Sequence, residues 1–271
     1  MIESRPMQAR PTSFDRVADC YDATRALPPA ALAGVAAGIA QAAHALAPAP
    51  ALLEVGVGTG RIAVPLADIG VRVLGVDIAP AMLARLRAKR PDVPVVIGDA
   101  ALPPFRPGTF HGVLFVHVLH LFSDPGAALR AAHALVLPRG MLLYGRTDHG
   151  ASPRRQMITA ARQLLRDLAG IHLGAREWNE SANRAFAEHA RTVGAQMAEA
   201  TLAHWVERTT GRDLLEALAR RTYSSSWAIP DAVMPELLKR LTPRVEELLG
   251  GLDRVVETDA SFTLVTARLP E

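Results

Sequence analysis

The chain has 271 residues, 49% of them apolar, with 30 Lys and Arg against 27 Asp and Glu for a formal net charge of +3. That length suits one large α/β domain or two small ones, and the slight positive excess is spread along the chain, which argues against a nucleic-acid surface. The single cysteine, Cys20, excludes an intrachain disulfide and a cysteine-based zinc site and suits a reducing cytoplasm.

Residues 1–10 read as a mobile tail. Phe14, Val17, Ala18 and Tyr21 then recur at helical spacing and predict a helix with one apolar face, ending near Arg25. From Ala26 to Leu53 no residue is charged, long enough to span a bilayer. The stretch is mostly Ala, Gly and Pro, however, and its larger apolar residues Leu32, Val35, Ile39 and Leu46 form a stripe. It predicts an amphipathic helix packed on the domain, with no membrane role. It lies too far from the terminus, behind too many charges, for an ordinary signal peptide.

The segment Ala51-Leu52-Leu53-Glu54-Val55-Gly56-Val57-Gly58-Thr59-Gly60-Arg61-Ile62 predicts a buried strand, a tight turn and a helix start. Glycines there allow a sharp bend and a close approach of backbone to ligand. A dinucleotide fingerprint G-x-G-x-x-G counted from Gly56 needs glycine at 61, where Arg61 stands, and there is no phosphate loop of the G-x-x-x-x-G-K-[ST] type. Glu54, Gly56, Gly58 and Gly60 instead resemble, position for position, the acidic residue–x–G–x–G–x–G loop of the class I S-adenosylmethionine-dependent methyltransferases.

Downstream elements follow in the order that resemblance implies. A helix runs to about Ile69 and stops at Gly70. Val71 to Val76 predicts a second strand, ending in Asp77, about twenty residues past the glycines and so placed to accept hydrogen bonds from ribose hydroxyls. A helix-capping role for Asp77 is the alternative. Pro80 opens the next helix, and Ile78 and Met82 are candidates to flank an adenine ring or simply core residues. Val93 to Ile97 predicts a third strand. The following Gly98-Asp99-Ala100 resembles the family's motif in which an Asp and the next amide read adenine, which implies Asp99 and Ala100. Phe110 to Val116 is a continuous apolar run, as expected of a parallel strand covered on both faces. His117 and His120 follow at its carboxyl end, where open α/β sheets bind ligands. They are weak candidates for a general base. A metal pair is rejected because no third and fourth ligand is evident, and a contact of His117 with the cofactor is what the resemblance implies.

Asp124-Pro125 starts another helix, and Leu137-Pro138-Arg139-Gly140-Met141, leading into a strand at Met141–Tyr144, resembles the family's last core motif. Arg146, Asp148 and His149 follow beside the expected substrate space. Residues 152–200 read as helices, with Trp178 and Phe186 as pocket or core residues. Thr201 to Arg208 reads as a strand. Helices follow at Leu214–Leu218 and Asp231–Leu249, with a polar aromatic loop at 221–227 between them that is suited to close over a substrate. Ala260 to Leu269 predicts a closing strand. The leading pattern Phe14-Asp15…Ala18…Tyr21-Asp22…Arg25 resembles the lid of many small-molecule methyltransferases, which implies that Tyr21 and Arg25 reach the cofactor.

The resemblance, carried by motifs over residues 10–150, implies an α/β fold: a doubly wound, seven-stranded, mostly parallel Rossmann-like sheet with added helices. It implies one methyltransferase domain over 1–271, with a lid at 10–47 and a cofactor-binding core at 48–149. A helical insertion over the active site would occupy 150–200, and residues 201–271 would complete the sheet. The expected function is methyl transfer from S-adenosyl-L-methionine to an O, N or C nucleophile of a small molecule, in the cytoplasm, without nucleic acid, membrane or metal, and with a homodimer as the candidate assembly. Competing readings are a silent cofactor-binding regulatory subunit and, against Arg61, a nucleotide-dependent oxidoreductase.

Overall fold

A computed structural model describes residues 13–172 and 177–271, the side chains of 177–179 and 225 aside. The expected tail at 1–10 and the side chain of Trp178 therefore lie outside the described residues. The elements in order are α1 (Tyr21–Arg25), α2 (Pro29–His44), β1 (Ala51–Val55), α3 (Ala63–Asp68), β2 (Arg72–Asp77), α4 (Pro80–Lys89), β3 (Val95–Ile97) and β4 (Phe110–Val116). They continue with α5 (Pro125–Leu135), β5 (Val136–Asp148), α6 (Pro153–Ala169), α7 (Glu177–Thr192), β6 (Gln196–Thr209), α8 (Gly211–Ala219), α9 (Met234–Leu249) and β7 (Val256–Arg268).

The seven strands form a mixed sheet in the order β3-β2-β1-β4-β5-β7-β6. The pairs β1–β2, β1–β4, β2–β3 and β4–β5 are parallel. β1 and β4 are buried at nearly every residue because helices cover both faces, which is why they read as unbroken apolar runs.

Packing divides the chain into two units. The first holds the residues up to Arg146, with Trp178–Leu202 and Thr263–Glu271. The second holds Thr147–Glu177 and Ala203–Phe262. The core of the first includes Leu53, Val113, Phe115, Leu129, Phe186 and Ala267. The second packs Met157, Leu164 and Leu165 of α6 against Leu218 of α8 and Leu237 and Leu241 of α9. The stretch 150–200, expected as one helical insertion, is thus shared: α6 belongs to the second unit and most of α7 to the first. Phe186 packs on Tyr144 with ring centres 5.5 Å apart, a core contact.

Several elements differ from expectation for local reasons. The leading helix is a 3-10 turn at Asp15–Val17 and a separate short helix, α1. α7 ends at Thr192 because Gly194 turns the chain with φ +67°, so β6 begins at Gln196 and not at Thr201. The Pro138-Arg139-Gly140 run does not precede the fifth strand but lies inside it, where Arg139 takes φ +62° and the register against β4 shifts. The loop at 221–227 contains a 3-10 turn, tied by Trp227 Nε1 donating to the Arg221 carbonyl at 2.9 Å. In α2 the buried side is Ala31, Val35, Ala36, Ile39, Ala40 and Ala43, so the expected stripe holds at Val35 and Ile39, whereas Leu32 is half-buried and Leu46 lies past the helix end. Among the described residues no helix is long and apolar enough to cross a membrane.

Candidate functional site

The registers bring four strand ends together. Val55 lies opposite Val76 on one side and Phe115 on the other, and Asp77 lies opposite Ile97. Gly56, Asp77, Asp99 and His117 therefore emerge at the carboxyl ends of the parallel strands, around β1, where the strand order reverses and open α/β sheets take their ligands.

The three glycines after β1 all adopt left-handed backbone, φ +68° at Gly56, +54° at Gly58 and +80° at Gly60. Their N–H groups tie the loop down: Gly56 N donates to Val76 O at 2.8 Å and Gly58 N to Asp77 Oδ2 at 2.8 Å. A Cβ on Gly56 would lie 2.4 Å from Val118 Cγ2, and one on Gly60 2.8 Å from Leu86 Cγ. Packing inside the protein thus already demands glycine at these two positions. At Gly58 the nearest atom is the flexible Met82 Cε at 3.2 Å, so the middle glycine is the one whose bare face is open to an approaching group.

Asp77 uses both carboxylate oxygens locally: Oδ1 accepts from Ala79 N and Oδ2 from Gly58 N, each at 2.8 Å. It is therefore the cap that the alternative reading described, and also the clasp of the glycine loop. Burial raises its pKa, against the lowering effect of the Ala79, Gly58 and Ile78 amides. Each oxygen keeps a second acceptor position for a ligand hydroxyl.

A narrow cleft beside the loop is lined by Tyr21, Glu54, Gly56, Gly58, Arg61 and Val116. Glu54 is 3% exposed, and its Oε2 is buried without a hydrogen-bond partner among the described residues. Burial pushes its carboxyl up to about 8, while Arg61 and the Ala63 amide pull it down. A buried acid with an unused acceptor on a cleft is poised for a cationic donor.

The segment before α2 is latched across this loop. Thr59 Oγ1 donates to Asp22 Oδ1 at 2.5 Å, Lys89 Nζ pairs with Asp22 at 2.5 Å, and Arg61 Nη1 donates to the Arg25 carbonyl at 2.8 Å. Ala81 N donates to Asp15 Oδ1 at 2.8 Å, and Arg85 pairs with Asp19. Phe14, Ala18 and Tyr21 pack with Ala79 and Met82, so the apolar face seen in the sequence is used even though the helix is broken. Tyr21 reaches the cleft; Arg25 Cζ lies 5.9 Å from the Tyr21 ring centre. Asp22, Thr59, Arg61 and Lys89 were not singled out as site residues. Thr59 and Arg61 lie in the glycine loop and Asp22 follows Tyr21, but nothing in the sequence marks Lys89, at the end of α4.

The remaining candidates are distributed around this centre. Ile78 is half-buried at the end of β2, and Met82 is buried under Tyr21, which makes it a core residue as much as a ligand wall. Asp99 is exposed with Oδ1 accepting from Ala101 N at 2.9 Å, and Ala100 packs on the core of the first unit. His117 takes φ +53°, uncommon for a non-glycine residue, and its N–H donates to Gly145 O at 3.3 Å. His120 lies in a 3-10 turn, where burial lowers its pKa to about 4, so it is neutral at pH 7 and a weak base. Of the residues past β5, Arg146 pairs with Glu199 at 2.9 Å, Asp148 accepts from Gly150 N at 2.9 Å, and His149 meets Glu207 at 2.9 Å. Among the described residues no group of three or more His, Cys, Asp or Glu is placed to hold a metal ion.

Known proteins resemble this chain in sequence and in fold. Residues 53–144 match the family described as methyltransferase domain. The chain is 29% identical over 162 residues to the demethylmenaquinone methyltransferase of Renibacterium salmoninarum, covering 59% of this chain and 65% of that protein. It is 29% identical over 153 residues to the ubiquinone biosynthesis O-methyltransferase of Chromobacterium violaceum, covering 54% and 66%. The matches thus span just under two thirds of these relatives' lengths. Among solved structures, a candidate methyltransferase of Bacillus halodurans superposes with a TM-score of 0.57 at 19% identity, covering 87% of this chain and 99% of that one. That likeness shows the fold alone, a Rossmann-like α/β sheet.

Proposed function

We propose that this chain, whose residues 53–144 match the methyltransferase domain family, transfers a methyl group from S-adenosyl-L-methionine to an O, N or C nucleophile of a small molecule. The observation that carries the reading is the clasped glycine loop with Glu54 beneath it and Asp77 at its side. In this reading Glu54 holds the ammonium of the methionyl end, the open face of Gly58 lies against the nucleoside, and Asp77 accepts from the ribose hydroxyls. In the same reading Asp99 and Ala100 read the adenine edge, and Ile78 and Met82 flank it. Gly56, Gly60, Tyr21, Arg25 and His117 complete the cofactor set. The acceptor, a cytoplasmic setting and a homodimer belong to the same proposal.

The cofactor's cationic sulfur supplies the reactivity when bound. The protein's own contribution is to orient and to exclude water, which the latch of Asp22, Thr59 and Arg61 over the loop favours. With its pKa lowered by burial, His120 itself is a weak base at pH 7.

Calorimetry is expected to show binding of S-adenosylmethionine and none of NAD. Release of S-adenosylhomocysteine across a panel of small metabolites tests turnover and separates an enzyme from a silent subunit. Asp77→Ala is expected to weaken cofactor binding by about 1–3 kcal/mol, the worth of charge-assisted hydrogen bonds. It also frees the Gly58 and Ala79 amides, so a fall in melting temperature accompanies it. Unchanged affinity in that variant would remove the ribose role and leave Asp77 a clasp alone.

A further inference from the structure

The second unit holds a polar cluster that the methyl-transfer reading does not use. Arg154, in the first turn of α6, stacks its guanidinium on Tyr223, with Cζ 3.4 Å from the ring centre. Its Nε is shielded from solvent and meets no acceptor among the described residues. The carboxylate that acts on it electrostatically is Glu207, and Glu207 is already engaged: His149 Nδ1 lies 2.9 Å from Oε2, and Trp205 Nε1 donates to Oε1 at 3.3 Å. Those contacts help to hold the Glu207 carboxyl below its usual range, so it stays ionised and committed to them.

An arginine in such a place is costly. Stacking on an aromatic ring offsets part of the desolvation, about 0.5–2 kcal/mol, but a shielded N–H without an acceptor is rare in folded proteins. Ordinary packing does not need a charge here, since a Met or Leu would cover the Tyr223 ring without one. The planar fork of a guanidinium matches a carboxylate in a way that no other cation does.

We propose that Arg154 and Tyr223 form a subsite for a small organic carboxylate carried on a flat ring: the fork takes the carboxylate, and the Tyr223 ring on which it stacks favours an aromatic body. The subsite lies within the second unit and does not rest on the methyltransferase reading.

The test uses the full chain and two matched pairs of probes, benzoate with benzamide and 1-naphthoate with 1-naphthamide, titrated by calorimetry with and without S-adenosylhomocysteine. The wild type is expected to bind each acid about tenfold or more tighter than its amide, as a charge-assisted pair implies. Arg154→Gln is expected to reduce that ratio to about threefold or less, and Arg154→Lys, which keeps the charge but not the fork, to leave it intermediate. Tyr223→Ala is expected to weaken acid binding several-fold and Tyr223→Phe to leave it; this pair carries the test if Arg154→Gln does not fold by circular dichroism. A wild type without acid preference, or an Arg154→Gln or Tyr223→Ala protein with the ratio intact, overturns the subsite. S-adenosylmethionine binding, measured on the same samples, is expected to be unchanged in Arg154→Gln because the candidate cofactor residues lie in the other unit. Selective binding of the acids by a wild type that ignores S-adenosylmethionine would keep the subsite and remove the methyltransferase reading.

Discussion

Glu54→Gln is expected to stabilise the free protein at pH 8.5 and to weaken S-adenosylmethionine binding about tenfold or more. Both effects come from the same buried acid. Its carboxyl is pushed from 4.5 to about 8, chiefly by burial. The folded chain therefore holds a proton that the unfolded chain releases across that window. Stability is greatest below pH 4.5 as far as this group is concerned, falls as pH rises, and levels off above about 8. At about 1.4 kcal/mol per pH unit, the window is worth on the order of 3–5 kcal/mol. Glutamine does not ionise, so the slope between pH 5.5 and 8.5 should flatten and the stability curves of variant and wild type should cross. Near pH 5 the variant is the weaker protein by about 1 kcal/mol, since its new N–H₂ has no evident acceptor where Oε2 has no partner. Urea unfolding at several pH values measures the crossing. Parallel curves would mean that Glu54 is not the acid that carries this pH dependence. Loss of ligand affinity in a variant that is more stable at pH 8.5 would mark Glu54 as a group kept for binding at a cost in folding.

That combination of acid, glycines and strand-end aspartate was legible in the sequence because each lies within a few residues of a strand's end. A parallel sheet aligns those ends whatever the intervening helices do, so Glu54, Gly58 and Asp77 had to become neighbours once the first two strands were paired. What escaped was set by contacts between distant segments. The link from Asp22 to Thr59 and Lys89 depends on how the leading segment is laid down, which no periodicity encodes. Arg154 and Tyr223 meet because α6 and α8, the helix before the Tyr223 turn, share one core. The boundary errors have a local origin. Pro138-Arg139-Gly140 carries turn residues yet sits inside β5, where a register shift accommodates it. The start of β6, from Gln196 to Thr201, is exposed residue after residue, so it has no alternation to show and reads as the tail of a helix.

Gly56→Ala is expected to be the most damaging single-methyl change in the loop, and to act on the fold before it acts on any ligand. The added Cβ would lie 2.4 Å from Val118 Cγ2 and 2.9 Å from Val118 Cβ, at a residue with φ +68°. Two costs add: about 1–2 kcal/mol for a side chain in left-handed backbone, and about 1–3 kcal/mol for the forced contact. Against a total stability of roughly 5–15 kcal/mol, that is a large share. Gly58→Ala has the same kind of backbone strain at φ +54°, but its nearest neighbour is the end of the flexible Met82 side chain at 3.2 Å. It should lose only about 1–2 kcal/mol of stability while removing most cofactor affinity, and Gly58→Val should abolish binding in a protein that still folds. The double variant Gly56→Ala with Val118→Ala separates the two costs: relief of the contact should recover the packing part and leave the backbone part. Thermal unfolding of the four proteins decides between the explanations. If Val118→Ala rescues nothing, left-handed strain alone accounts for Gly56. If Gly58→Ala is as unstable as Gly56→Ala, the middle glycine is a folding requirement like its neighbours, and its open face no longer argues for a ligand against the backbone.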